Sequence, residues 1–245
     1  MREILLVQIR PPGASVAEHE RDCVARRLGP RAARLRTRNA LAEPARADWL
    51  EGVDGVIIGG SGNFSVHDPR SREWVHAMRG LLDGALDRGL PGFGICFGHQ
   101  LMAVHLGVAV ETDRSRMEAG TLAFDLGAAA HEDPVFGPLA GGRGALHGHT
   151  GHTDHVMALP RGATLLASTE AVPIQAMRID AADWWTTQFH PDLAAVEAHQ
   201  RFSAFADAIE ASGETRPRSP DYRGEGDAAT GLIGAWFDAV FSRPG

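Results

Sequence analysis

Nucleophilic chemistry is available at Cys96, within Gly94-Ile95-Cys96-Phe97-Gly98-His99-Gln100. An apolar stretch over 91–95 precedes it and a helix-like run over 101–106 follows, so the thiol is expected at a strand-to-helix turn. The first amides of such a helix, and its positive end, face the sulfur and favour a thiolate. Glycines at 94 and 98 suit a turn where a side chain would strike backbone or substrate. A thiol nucleophile needs a base, and the base needs a group to orient it. Of the 12 histidines, His190 in Phe189-His190-Pro191-Asp192 is best placed, because it leaves a strand at the sheet edge where Cys96 leaves its own. Asp192 can hold the far nitrogen of that imidazole; the plainer alternative is that His190 merely starts a helix which Asp192 caps. Gly59-Gly60-Ser61 follows an apolar strand expected to neighbour that of Cys96, so the Gly60 amide, with that of Phe97, can form an oxyanion hole. Taken alone, those glycines read as an ordinary turn, and they lack the third glycine of a dinucleotide fingerprint.

The elements that must position these groups alternate. Apolar runs over 3–10 and 55–58 read as buried strands, and helices are expected over 15–28 and 71–90. Strand, helix, strand, turn and helix in succession imply parallel strands with right-handed crossovers: a doubly wound, mostly parallel, flavodoxin-like α/β sheet with helices on both faces. From 111 to 169 short strand-like pieces, 120–126 among them, predict an added antiparallel portion. Residues 173–179 and 184–189 read as paired strands, the second delivering His190. An amphipathic helix follows from about 193 to 209. We divide the chain into a catalytic-type domain over 1–211 and, over 212–245, a polar, mobile connection with a short helix from 232 to 241, packed on the same domain.

Composition narrows the possibilities. With 44% hydrophobic and 22% charged residues, the chain resembles an ordinary globular protein. A net charge of −7 and no concentrated basic face argue against nucleic-acid binding. All 24 basic residues are arginines, which excludes a Schiff-base lysine and a phosphate-loop lysine. The apolar run near the N-terminus is too short for a signal peptide or membrane span, so a cytoplasmic location is the default expectation and no membrane partner is expected. Two cysteines cannot build a disulfide framework. Cys23 falls on the apolar face of the first helix and reads as a small core residue.

Taken together, the segment from Gly94 to Gln100, the Gly59-Gly60 turn and Gln188-Phe189-His190-Pro191 resemble the class I, triad-type glutamine amidotransferases, over roughly residues 4–209. The chain is most similar to stand-alone members like the glutaminase part of GMP synthetase. The resemblance implies a γ-glutamyl thioester on Cys96, His190 as general base and acid, and an oxyanion hole from Gly60 and Phe97. It further implies that Gln100 helps to seat glutamine and that the segment containing His152, Thr153 and Asp154 lines the pocket. No cofactor and no metal are expected. One departure stands out: the family usually carries glutamate where this chain has Asp192, one methylene shorter, which predicts a longer hydrogen bond to His190 and reduced or retuned activity.

These features imply hydrolysis of a γ-glutamyl amide. The substrate is glutamine, with ammonia passed to a separate synthetase partner, or else a γ-glutamyl peptide or conjugate. A catalytically silent regulatory homologue is the non-enzymatic alternative. A rival chemistry arises from His147-Gly148-His149-Thr150-Gly151-His152-Thr153-Asp154-His155, whose histidine density resembles the metal signature of metallo-β-lactamase-like hydrolases. That signature's acidic residue would fall at Gly151, and Cys96 would then have no role.

Overall fold

Side-chain alternation along the first strands divides the core in two. Leu5, Val7, Val56 and Ile58 join one buried cluster, while Ile4, Leu6 and Ile57 join another. Period-two alternation on central strands that are apolar on both faces requires a sheet covered on both sides. The computed structural model describes residues 1–31, 33–213 and 215–242. Its strands are β1 (Arg2–Gln8), β2 (Ala33–Asn39), β3 (Gly55–Ile58), β4 (Gly92–Ile95), β5 (Val110–Thr112), β6 (Glu118–Leu126), β7 (Ala145–His152), β8 (Asp154–Val156), β9 (Ala163–Ser168), β10 (Ala176–Ile179) and β11 (Trp184–Thr187). Its α-helices are α1 (Ser15–Leu28), α2 (Arg72–Asp87), α3 (Phe97–His105), α4 (Ala128–Glu132), α5 (Gly137–Ala140), α6 (Ala195–Ala211) and α7 (Leu232–Phe241).

One nine-stranded sheet runs in the order β2-β1-β3-β4-β11-β10-β9-β6-β7, and β5 and β8 form a separate ribbon. The pairs from β2 to β11 are parallel; those from β11 to β7 are antiparallel. This is the doubly wound α/β sheet with an antiparallel addition. Met78, Leu82 and Leu101 of α2 and α3 cover one face. Val24, Leu28, Ile233 and Trp236 of α1 and α7 cover the other. No helix among the described residues is long and apolar enough to cross a membrane.

Two sequence readings change. The ladder strands are shorter than the apolar runs suggested, β10 starting only at Ala176 and β11 ending at Thr187, and the chain beyond Thr187 turns out of the sheet toward Cys96. The segment read as a mobile connection is tied down over its second half. The Thr121 amide donates to the Asp221 carbonyl at 2.9 Å and the Arg223 amide to the Thr121 hydroxyl at 2.7 Å. Gly120, at φ +108°, permits this approach, since a Cβ there would stand 2.8 Å from the Asp221 carbonyl oxygen. Polar composition suggested looseness, but the main chain at Asp221 and Arg223 is held by the Thr121 amide and hydroxyl on β6.

Candidate active site

Strands β3, β4 and β11 lie side by side and parallel, so their carboxyl ends open on one edge. The chain leaves them as Gly59-Gly60, Cys96 and Gln188-Phe189-His190. Cys96 is the N-cap of α3, and among the described residues it alone, apart from glycines, has a positive φ, +51°. A conformation of this kind costs about 1–3 kcal/mol and persists only when its surroundings enforce it. They do so here. The Cys96 amide donates to the Thr187 carbonyl at 2.7 Å. A Cβ on Gly98 would sit 2.5 Å from the Ile58 carbonyl oxygen, and one on Gly94 2.8 Å from Gly98 itself. Only glycine at both positions lets α3 start so close to the sheet. His99, inside the same motif, is a core residue: it bonds the Thr186 hydroxyl and the Ile174 carbonyl, and burial pushes its pKa down to about 3.

A Cβ placed on Gly60 would lie 3.0 Å from His190 Cε1 and 3.7 Å from Cys96 Cβ, so the glycine loop, the thiol and the imidazole meet. The His190 Nδ1–H donates to Asp192 Oδ1 at 3.0 Å. This is an ordinary length, so the bond expected to stretch does not. The reason lies behind Asp192: Arg201, nine residues on along α6, donates from Nη1 to Oδ2 at 2.5 Å, and both side chains are buried. Burial alone would lower the pKa of His190, but the Asp192 carboxylate and the nearby Cys96 outweigh it and raise it to about 9. Burial would likewise raise that of Asp192; Arg201 and His190 instead hold it far below the usual carboxylate range.

The glycine pair has two separate causes. Gly60 makes room for His190. Gly59 makes room for Glu20, whose Oε1 would stand 2.6 Å from a Cβ at that position. Glu20 is buried on α1 and accepts from Arg10 Nη2 at 2.7 Å and Nε at 3.2 Å, and from Gln8 at 3.0 Å. A buried ion pair therefore lies under the glycine turn. The Phe97 amide, at the first position of α3, has no partner within the helix.

The predicted pocket residues separate in role. Gln100 donates from Nε2 to the Asp154 carbonyl at 3.2 Å and to Gln188 Oε1 at 3.1 Å, and Gln188 Nε2 lies 3.5 Å from Cys96 Sγ. The Asp154 carboxylate accepts from Thr112 at 2.6 Å. His152 bonds the Asp154 carbonyl through Nδ1 and Glu118 through Nε2, each at 3.1 Å. Thr153 accepts from the Asp113 amide through its main chain, and among the described residues it makes no hydrogen bond to Cys96 or His190. The clustered histidines each take their own hydrogen-bond partners, although the His152 and His155 rings meet edge-on with centroids 5.1 Å apart. His149 faces Thr121 and Asp227, His152 faces Glu118, and His155 faces the Asp113 carbonyl. Among the described residues no three His, Cys, Asp or Glu side chains are grouped to hold a metal ion.

Gln188 entered the sequence reading only as part of the motif around His190, and Arg201 and Arg10 gave no functional signal. Glu20 carried a faint one, since it shares the buried face of α1 with Cys23 and Val24. Cys23 itself is fully buried, and burial pushes its thiol up to about 11.

Residues 22–206 match the family of class-I glutamine amidotransferases. The GMP synthase [glutamine-hydrolyzing] of Xanthomonas axonopodis pv. citri (strain 306) is 41% identical over 109 residues, which are 44% of this chain and 20% of that protein. The chain's matching region thus spans about a fifth of that relative's length. A glutamine amidotransferase from Thermotoga maritima superposes with a TM-score of 0.66 at 18% identity, covering 97% of this chain and 96% of the other. One from Methylobacillus flagellatus gives 0.68 at 18% identity, covering 100% and 97%. At such identities these two structures establish the fold alone.

Proposed function

We propose that this chain, which belongs to the class I glutamine amidotransferase family, hydrolyses a γ-glutamyl amide through a thioester on Cys96. The Cys96 sulfur attacks the side-chain carbonyl carbon, and the oxygen takes up the negative charge between the Gly60 and Phe97 amides. The His190 imidazolium gives its proton to the departing amine as the carbon–nitrogen bond breaks. Water then adds to the thioester, His190 accepts its proton, and the carbon–sulfur bond breaks to release glutamate. Asp192 holds Nδ1 of His190 throughout, so Nε2 is the atom that exchanges protons with the substrate.

The observation that most supports this reading is the meeting of three strand ends, with a Cβ on Gly60 standing 3.0 Å from His190 and 3.7 Å from Cys96. Gln100 spends both N–H groups on Asp154 and Gln188, which leaves its Oε1 to accept from a substrate N–H. With glutamine as substrate the product is ammonia, and a separate synthetase subunit is its acceptor, in keeping with the GMP synthase relatives.

The test measures glutamate release from glutamine beside a panel of γ-glutamyl amines, for the parent and Cys96→Ala. Release from glutamine, absent in Cys96→Ala, is expected. Release only from the γ-glutamyl amines would make the chain a γ-glutamyl hydrolase. Release from neither, with Cys96 unreactive toward a glutamine-like electrophile, would make it a silent homologue.

A further inference from the structure

The hydrogen bonds around Gln188 run in one direction, and that direction ends on sulfur. Amide oxygen and nitrogen are interchangeable in shape, so their orientation must be read from their partners. The fixed point here is the main-chain carbonyl of Asp154, which can only accept. It stands 3.2 Å from the Gln100 amide group, so the Gln100 NH₂ must be at that end. The second N–H of the same group reaches Gln188 at 3.1 Å, and the Gln188 atom there must be its acceptor, Oε1. The Gln188 NH₂ is left pointing at Cys96 Sγ, 3.5 Å away. A flip of Gln188 would set two N–H groups face to face and a carbonyl oxygen against the sulfur.

The chain is rigid at both ends. His152 donates to the same Asp154 carbonyl at 3.1 Å while bonding Glu118 through its other nitrogen. Gln188 is fully buried, and its own amide donates to the Gln175 carbonyl at 2.7 Å. A buried donor held against sulfur is worth most when the sulfur is charged, because hydrogen bonds to ions are about twice as strong as neutral ones.

From this we infer that Gln188 is a further catalytic residue: it donates a hydrogen bond to the Cys96 thiolate, aimed by Gln100 and the Asp154 carbonyl. It acts at two points. Before attack it favours the anionic sulfur, and in the hydrolytic step it receives the electron pair's charge when the carbon–sulfur bond breaks. The wall of the pocket and the reactivity of the nucleophile are therefore one connected unit. The inference rests on Cys96 being the nucleophile of the reading above.

The experiment is the second-order rate of Cys96 alkylation by iodoacetamide at pH 7, which needs no turnover and no knowledge of the substrate. Cys23 is buried, and Cys96→Ala supplies its background. Gln188→Met, of similar length and without a donor, is expected to slow alkylation about tenfold. Gln188→Glu is expected to slow it at least as much, because a carboxylate then faces the sulfur. Should either variant fail to fold, Gln100→Met removes the group that aims Gln188 and is expected to slow alkylation severalfold. Alkylation at the parent rate in a folded Gln188→Met or Gln100→Met, or faster alkylation in Gln188→Glu, would overturn the inference. Slower alkylation in an otherwise inactive protein would uphold it while removing the hydrolytic reading.

Discussion

Arg201 and His190 share one carboxylate: Arg201 Nη1 stands 2.5 Å from Asp192 Oδ2, and His190 Nδ1 stands 3.0 Å from Asp192 Oδ1. The two donors engage one oxygen each of the short side chain, so a carboxylate on a single methylene still reaches its histidine. Removing one partner of a buried pair leaves the other uncompensated. Arg201→Met is accordingly expected to lose about 3–5 kcal/mol of unfolding free energy, measured by urea titration. Arg201→Lys keeps the charge without the planar fork and should recover part of it.

Lengthening the acid is expected to harm it. Asp192 is 1% exposed and already bonded on both oxygens, so Asp192→Glu must push its carboxylate into Arg201 or His190. Overpacking of this kind costs about 1–3 kcal/mol. A fall in kcat for glutamate release is expected alongside it, with KM little changed. An Asp192→Glu variant faster than the parent would instead mean that the shorter side chain limits the base.

The pKa of His190 is raised from 6.5 to about 9, so its contribution to stability is complete below the unfolded value and disappears as pH climbs through the folded one. At about 1.4 kcal/mol per unit this amounts to something on the order of 3 kcal/mol. Unfolding free energy should therefore decline between about pH 6.5 and 9 in the parent, and Asp192→Asn should flatten that decline. Turnover should fall over the upper part of the same range, as the imidazolium that protonates the leaving amine is lost.

The two glycines of the turn should fail differently when each is replaced by alanine. A Cβ at Gly59 meets Glu20 Oε1 at 2.6 Å, so Gly59→Ala displaces the buried Arg10–Glu20 pair and should cost about 1–3 kcal/mol of stability. At Gly60 the neighbour is the His190 ring at 3.0 Å, which can yield by a few tenths of an ångström. Gly60→Ala should therefore keep most of its stability yet lose about a hundredfold in kcat, the scale of one misplaced oxyanion donor. Thermal melts and steady-state kinetics on the pair separate the two effects.

Asp227 should brace the site from a distance. It lies 3.0 Å from His149 Nε2 and accepts from the Ala195 amide at the start of α6 at 2.7 Å. The His149 carbonyl in turn accepts from the His190 amide at 2.8 Å. Asp227→Ala removes a helix cap and a histidine partner together, with an expected loss of about 1–2 kcal/mol. A severalfold fall in kcat at constant KM is expected, measured with glutamine at saturation and below.

What the amino-acid sequence determined by itself is everything that depends on local pattern. Alternating apolar residues specified two-faced strands, their alternation with helical spacing specified a parallel sheet, and a parallel sheet specified that Cys96, Gly60 and His190 emerge on one edge. Glycines 94 and 98 marked the turn because the backbone there must come close to α3 and β3, a requirement written in residue type. The tertiary structure alone decided which polar groups stand behind that edge. Arg201 reaches Asp192 only because α6 folds back over the strand end. Arg10 and Glu20 pair beneath Gly59 only because α1 returns across β1, and Gln188 meets Gln100 and Cys96 only because β11 lies against β4. A buried polar atom must find a partner wherever the packing puts one, and sequence spacing does not encode where that is. Asp192 shows the division within one residue: its length was legible as a departure, and the guanidinium that accommodates it was not.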